Sequence, residues 1–323
     1  MSERTIAMRV GDFAAEYGVL IVLLALVVAM SLATPHFLTA NNLLNVLRQV
    51  SINAIISCGM TYVIITAGID LSVGSLVAMS SCFAMLAIGR TDSDLAGILV
   101  GILAGAAGGA FNGAFIAWLR VPPFIMTLAT LTIFSGIALI STGGSPIIRF
   151  TGNFQWLGQG FVAGVPVPVI FMGVVALFMQ TVLARTAFGA SVYAVGGNEE
   201  AARLSGINVR RVKFLVYVIG GVLTGFAAVI LMGRLSSAQP NMGQGFELDA
   251  IAAVVLGGTS LMGGRGSIWG TLVGALVIGI LNNGFNLLSV DPYFQLVAKG
   301  GVILLAVLLD QRLRSASVRE RAV

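Results

Sequence analysis

Long, nearly uncharged apolar runs constrain the fold of this chain more than any other feature of its sequence. A membrane-spanning helix needs about 20 predominantly apolar residues, and ten segments approach that length. They cover residues 17–34, 51–67, 71–89, 95–118, 124–142, 165–183, 213–232, 249–262, 267–286 and 294–310. Charged residues make up only 10% of the chain, against about 25% in soluble domains. The sequence therefore predicts an all-α polytopic membrane protein with about 10 transmembrane helices.

The predicted organisation is a single membrane domain with short ends. Residues 1–16 form an N-terminal segment, 17–310 the transmembrane domain and 311–323 a C-terminal tail. The segment 249–262 is short and rich in glycine, which predicts a broken or re-entrant helix, a structure tolerated only where protein or a cavity surrounds it. Another break is expected at Gly68-Ile69-Asp70, the only residues between the second and third spans.

The distribution of basic residues predicts the orientation. Thirteen of the 18 Lys and Arg residues lie in connections on the same side as both termini, and four lie on the other side. Because cytoplasmic loops carry the excess of Lys and Arg, both termini are expected in the cytoplasm. The four outer residues are Arg48, Arg90, Arg149 and Arg234, and Lys299 falls inside the tenth span. The first span lacks a convincing cleavage site, so we favour a retained helix over a signal peptide.

A short pattern occurs twice, 170 residues apart. Asn112-Gly113-Ala114-Phe115 is followed by Pro122-Pro123-Phe124, and Asn282-Asn283-Gly284-Phe285 is followed by Pro292-Tyr293-Phe294. Each copy ends one apolar segment and begins the next. Five predicted spans separate the copies, and this odd number predicts an inverted internal repeat, as found in many transporters.

The largest cytoplasmic connection, residues 184–212, has the start and stop signals of a short helix. Asn198 is a good N-cap, Glu199 and Glu200 suit the positive end of the helix dipole, and Gly206 suits the C′ position. A solvated linker is the alternative, but a linker does not need capped ends. We therefore predict a docking helix through which a soluble motor moves the spans. The predicted coupling segment comprises Gly197, Asn198, Glu199, Glu200, Ala201, Ala202, Arg203, Leu204, Ser205, Gly206 and Ile207.

The run Glu200-Ala201-Ala202 with Gly206 resembles the coupling motif of ABC importer permeases. Longer runs resemble the ribose-type sugar permeases among them: 68–75 (GIDLSVGS), 196–198 with 203–207, 234–240 (RLSSAQP) and 247–260 (ELDAIAAVVLGGTS). The resemblance covers residues 17 to 310. It implies a fold like that of type II ABC importers, a core of two permease copies (a homodimer), a cytoplasmic ATP-binding subunit and a periplasmic sugar-binding protein, in the inner membrane of a bacterium.

Polar and aromatic residues near helix ends are candidates for the translocation path. They are Asp70, Ser72, Asn112, Phe124, Thr127, Glu247, Asp249, Asn282 and Asn286. An acid at membrane depth is a functional candidate, but we favour Asp70 as the N-cap of the third span. Glu247 and Asp249 suit a first helical turn. The asparagines more often bond a neighbouring helix, and Lys299 is expected to snorkel to the interface.

These features favour the permease subunit of an ATP-driven importer for a ribose-like pentose or related sugar. The chain has no phosphate-binding loop of the form G-x-x-x-x-G-K-[ST], so ATP, Mg²⁺ and hydrolysis are expected on a partner chain and no cofactor on this one. The alternative is an ion-coupled secondary transporter of a small polar solute. A membrane enzyme is least favoured, because one histidine and two cysteines offer no catalytic grouping or metal site. Nucleic acid is not an expected partner, since the net charge of +5 is spread over short loops.

Overall fold

A computed structural model describes residues 3–149, 152–302 and 304, with side chains from residue 18 onward. The helices are α1 (Glu3–Ala33), α2 (Ala40–Ile65), α3 (Val73–Thr91), α4 (Asp94–Trp118), α5 (Pro123–Thr142), α6 (Gln155–Gln159), α7 (Val167–Arg185), α8 (Ala187–Gly197), α9 (Glu199–Leu204), α10 (Val209–Leu235), α11 (Phe246–Leu256), α12 (Ile268–Leu287) and α13 (292–302). The strands are β1 (Ile147–Ile148), β2 (Phe161–Val162), β3 (Val165–Pro166) and β4 (Ser237–Ala238).

The all-α membrane architecture predicted from the sequence is confirmed. Within the described residues, seven helices are long and apolar enough to cross a membrane, namely α2, α3, α4, α5, α7, α10 and α12. The apolar part of α1, Gly18–Ala33, is shorter, and α11 has only 11 residues. The total of about ten spans therefore stays a prediction. The predicted tail 311–323 lies outside the described residues, and 3–16 belong to α1 without a break.

The predicted span 51–67 is wrong at its start, because α2 begins eleven residues earlier, at Ala40. Thr39 caps this helix by accepting a hydrogen bond from the N–H of Asn42. The side chains of Asn42 on α2 and Asn283 on α12 also bond each other reciprocally, at 3.0 and 2.8 Å. These hydrogen bonds satisfy the polar groups in the first turn of α2. The partners lie outside the segment, so its hydropathy alone did not indicate that the helix begins here.

The central helices of the bundle are α2 and α10, whose most apolar stretches are largely buried. Each carries a fully buried tyrosine, Tyr62 and Tyr217. The closest packing joins α10 to α4 through small residues on both helices. A Cβ added to Gly105 of α4 would lie 2.7 Å from the Cα of Gly225 on α10. Glycine is required here because the two backbones themselves are in contact.

Helix packing repeats between the two halves of the chain and confirms the internal repeat. The 170-residue offset matches α2 with α10, α3 with α11 and α4 with α12. Accordingly, α10 packs on α3 and α4, whereas α2 packs on α11 and α12. The pair α3–α4 likewise corresponds to α11–α12, and α2 contacts α10 across the centre. Five predicted spans separate the repeated motifs, and this odd number predicts that the repeat is inverted.

A small folded element lies between α5 and α7, where the sequence analysis placed only a loop. Strand β1 pairs antiparallel with β4, which follows α10, and β2 pairs with β3 as a hairpin. Helix α6 packs on α10, where Gln159 donates to the carbonyls of Gly233 and Arg234, at 3.1 Å each. This element is therefore fixed to the end of α10.

Candidate functional site

The predicted coupling segment contains the short helix α9, and its caps are those expected from the sequence. The Oδ1 atom of Asn198 accepts a hydrogen bond from the N–H of Ala201 at 2.9 Å. At the other end, the N–H of Gly206 donates to the carbonyl of Arg203 and the N–H of Ile207 to that of Ala202, both at 3.1 Å. This pair of bonds is a Schellman motif, which needs a left-handed residue at C′. Gly206 provides it, with φ of +86°.

One side of α9 is attached to the membrane domain and the other is free. Ala202 and Ile207 pack against the main hydrophobic core, and Glu199 pairs with Lys213 of α10 at 2.6 Å. Leu204, by contrast, is 78% exposed. An apolar side chain exposed on a rigid, capped helix is suited to contact with another protein. The helix is thus joined directly to α10, one of the two central helices.

An ion pair lies on the exposed surface of α9. The Nε atom of Arg203 donates to Glu200 Oε2 at 3.1 Å. This hydrogen bond, together with the charge of Arg203, lowers the pKa of Glu200 and raises the pKa of Arg203. Because both side chains are well exposed, the pair contributes little to stability. The ion pair does, however, hold the side chains of Glu200 and Arg203 in one orientation on the surface of the helix.

The coupling segment borders a cavity of about 790 Å³. Its opposite wall is the α4–α5 connection, including Arg120, Pro122 and Pro123. Arg120 has φ of +57°, a left-handed conformation that is uncommon for a non-glycine residue. Arg203 and Arg210 contribute to the same wall as α9. The coupling segment and the α4–α5 connection therefore open onto one polar concave surface.

The ends of α2 and α8 meet the connection between α11 and α12 behind the coupling segment. The N–H of Gly264 donates to the carbonyl of Ile65 at 2.9 Å, and the hydroxyl of Tyr193 donates to the carbonyl of Gly266 at 2.6 Å. A Cβ at Gly196 would collide with the Ile65 carbonyl oxygen. The coupling segment is thus in contact with elements from both halves of the repeat.

The first group of predicted path residues forms a buried cluster at the start of α3. Asp70 is 2% exposed and accepts hydrogen bonds from the N–H of Ser72 at 2.9 Å and from its hydroxyl at 2.6 Å. Asn112 of α4 donates to the Ser72 hydroxyl oxygen at 2.9 Å. Thr127 of α5 donates to the carbonyl of Ile69 at 3.2 Å. Three elements therefore meet at this turn.

The interpretation of Asp70 as a helix cap is wrong. The N-cap of α3 is Ser72, and its side chain makes no capping bond. Asp70 lies two residues earlier and closes a local turn instead, through the N–H and hydroxyl of Ser72. A carboxylate that precedes the helix in this way is held by the connection between α2 and α3 rather than by α3 itself.

A matching cluster lies at the start of α11. Glu247 and Asp249 occupy its first turn, as predicted, and Asn282 of α12 donates to Asp249 at 3.3 Å. Lys299 of α13 pairs with Asp249 at 3.1 Å. The expectation that Lys299 reaches toward the interface is therefore wrong, since its ammonium group bonds a buried acid. Because Lys299 and Asp249 lie 50 positions apart in the sequence, the sequence did not indicate that they pair.

The starts of α3 and α11 approach each other near the centre of the bundle. A Cβ added to Gly74 of α3 would collide with the Glu247 carboxylate and with the carbonyl oxygen of Gly243. Glu247 also accepts a hydrogen bond from the N–H of Gly245 at 3.2 Å. Two helix N-termini, which carry partial positive charge, thus lie on either side of one acidic side chain.

Two of the predicted path residues lie away from these clusters. Phe124 is 54% exposed on α5, and Asn286, exposed at the end of α12, accepts a hydrogen bond from Gln295 at 3.2 Å. Among the described residues, no group of three or more His, Cys, Asp or Glu side chains is placed to hold a metal ion. The structure therefore brings together the acids and the other two asparagines, but not Phe124 or Asn286.

Comparison with known proteins identifies the family. Residues 42–308 match the family model described as "Branched-chain amino acid transport system / permease component". The ribose import permease protein of Bacillus subtilis is 52% identical over 300 residues, covering 92% of this chain and 93% of that protein. The ribose import permease protein of Escherichia coli K12 is 50% identical, with 92% and 94% covered. The D-allose transport system permease protein of the same strain is 42% identical, with 92% and 91% covered. No solved structure matches significantly.

Proposed function

This chain belongs to the family of permease components of transport systems, and from that premise we propose that it is the membrane subunit of an ATP-driven sugar importer. Ribose is the proposed substrate, because the relatives at 50–52% identity are ribose import permeases. Allose and xylose permeases are less similar, at 42% and 36% identity. The chain resides in the inner membrane as a multi-pass protein.

The observation that supports this proposal most directly is the capped helix α9 with its exposed Leu204. The sequence contains no phosphate-binding loop, so the proposed site of ATP and Mg²⁺ is a cytoplasmic partner that contacts the coupling segment. When that partner closes on ATP, a displacement of α9 passes to α10 through the Glu199–Lys213 pair and the packing of Ala202. Helix α10 contacts α2, α3 and α4, and these helices alternate the direction in which the path opens.

The proposed assembly contains two permease copies, two ATP-binding subunits and a periplasmic sugar-binding protein. The second permease copy belongs to the proposal because the sequence resembles permeases whose core contains two copies, and the exposed large apolar side chains on α5 and α13, including Ile125, Leu128, Phe294 and Val297, would face lipid or that copy. In the proposed orientation both termini are cytoplasmic, which agrees with the excess of basic residues in the connections on their side.

The proposed path runs beside the two acid–amide clusters, with Asp70, Ser72 and Asn112 in one half and Asp249 and Asn282 in the other. Amide and carboxyl groups are able to bond sugar hydroxyls. Glu247, between the two helix N-termini, and Thr127, Phe124 and Asn286 complete the proposed set. Because most of these groups already have protein partners, contact with the sugar is expected to be weak, which allows release.

Reconstitution tests the proposal. The full chain is placed in proteoliposomes together with candidate ATP-binding and sugar-binding proteins from the same organism, and uptake of radiolabelled ribose is measured with ATP on the cytoplasmic side. Uptake should require ATP, the ATP-binding subunit and the sugar-binding protein, and excess unlabelled ribose should compete better than allose or xylose. Ribose uptake by the chain alone under a sodium or proton gradient would refute the proposal in favour of secondary transport.

A further inference from the structure

Each half of the repeat buries an acid near the start of one helix and an asparagine on the next helix. Asp70 precedes α3 and Asp249 lies in the first turn of α11, the helix that corresponds to α3. Asn112 on α4 and Asn282 on α12 are related by the 170-residue offset, and each donates a hydrogen bond to the acid or to its turn. The asparagines thus occupy equivalent positions, whereas the acids are 179 residues apart and lie before one helix and within the other.

The two units differ in charge. Asp249 is neutralised by Lys299 of α13, at 3.1 Å. The equivalent helix in the first half, α5, contains no charged residue. No Lys, Arg or His side chain among the described residues pairs with Asp70.

The neighbours of Asp70 on every packed element are neutral or acidic. Tyr217 of α10 donates to the carbonyl of Ile69 at 3.4 Å, Thr127 of α5 donates to the same carbonyl, and Glu247 lies beside Gly74 at the start of α3. The side chain of Asp70 is therefore buried without a positive partner, an arrangement that carries a large desolvation cost whenever the carboxyl group is ionised.

Asn112 supplies a second, independent observation. Its side chain is fully buried, and although its Nδ2 atom donates to Ser72, its Oδ1 atom has no hydrogen-bond partner. An amide oxygen buried without a donor loses its hydrogen bonds to water without replacement. The Ser72 hydroxyl bonds both Asn112 and Asp70, so the two side chains lie close to each other. One small site thus contains a carboxylate without a counter-charge and an amide oxygen without a donor.

We propose that Asp70 and Asn112 bind one small monovalent metal cation, of the sodium class, which supplies in the first half the positive charge that Lys299 supplies in the second. Carboxylate and amide oxygens are hard ligands suited to alkali and alkaline-earth cations. The single carboxylate balances one positive charge, which favours a monovalent ion. Ser72 orders the carboxylate by two hydrogen bonds. A bound cation would fix the connection between α2 and α3.

The test measures the thermal unfolding of the purified full-length chain in detergent, and it does not depend on transport or on the importer assignment. The probes are sodium, potassium and lithium chloride, each compared with choline chloride at the same ionic strength and pH. At a sodium concentration ten times the Kd, the midpoint should rise by about 2–5 °C over the choline value. Asp70→Asn and Asn112→Ala should each abolish or strongly weaken this rise. Asp92→Asn, which changes an exposed acid, should leave the rise intact.

Three results would overturn the site. The first is the same midpoint in choline and in all three alkali salts for the wild-type chain, a measurement that does not depend on the folding of any variant. The second is a sodium response that persists in Asp70→Asn. The third is a sodium response of wild-type size in Asn112→Ala, since the amide oxygen would then not be a ligand.

Discussion

Replacement of Gly206 by alanine should impair coupling through a local and calculable effect on α9. Gly206 holds a left-handed conformation, with φ of +86°, and an added Cβ would meet no atom within 4 Å. The cost of Gly206→Ala is therefore conformational rather than steric, about 1–2 kcal/mol. That energy lowers the population of the Schellman-capped state roughly 5- to 30-fold relative to its alternatives. A helix of six residues has little intrinsic stability with which to offset it.

The assay compares ribose uptake with ATP hydrolysis in proteoliposomes that contain the complete importer. Gly206→Ala should lower the ratio of sugar transported to ATP hydrolysed several-fold, while the chain inserts normally. Gly206→Asn is the matched control, because asparagine tolerates the left-handed region better than other non-glycine residues, and it should retain more of the ratio. Wild-type ratios for the alanine variant, or equal losses for alanine and asparagine, would refute the role assigned to this cap.

Three further changes give separate tests. Gly105→Leu forces a side chain against the backbone of α10 and should lower the free energy of unfolding by about 1–3 kcal/mol or more. Gly136→Leu on α5 faces open space and should not lower it, and thermal unfolding measures both variants. Lys299→Met leaves Asp249 buried without its partner and should lower the free energy of unfolding by about 3–5 kcal/mol. The double variant that adds Asp249→Asn should recover most of this stability, and no recovery would contradict the pairing. Because the pKa of Glu200 is lowered from 4.5, its ion pair with Arg203 stabilises α9 fully above that value and is lost as the pH falls through the lowered pKa. Glu200→Gln should thus remove any acid-dependent loss of coupling in this range. An acid profile of coupling unchanged from the wild type would contradict this role of the ion pair.

Local signals made the coupling helix predictable. Asn198 and Gly206 act through hydrogen bonds to residues within five positions in the chain, so their spacing alone defines the helix. The membrane spans were predictable for a similar reason, since about 20 apolar residues suffice to indicate one. The repeat could be recognised from Asn112 and Asn282, because these residues occupy equivalent places in the two halves.

Long-range partners made the rest inaccessible from the sequence. The polar beginning of α2 resembles a loop until Asn42 is seen to bond Asn283 and Arg48 to lie 4.4 Å above the ring centre of Phe161. Lys299 resembles an interfacial lysine until its partner is found 50 positions away. The roles proposed for the path residues also depend on which helices meet, and no periodicity in one segment specifies that.

The glycine contact between α4 and α10 restricts where this protein is able to bend. Two helices whose backbones touch along several turns cannot slide or separate by a fraction of an ångström without losing contact over their whole length. We therefore expect them to move as one stiff body, and we expect a rotation that starts at the coupling segment to be absorbed in the non-helical connections at 66–72 and 236–245. The bending of the molecule is thus concentrated in those two short stretches, which lead into α3 and α11.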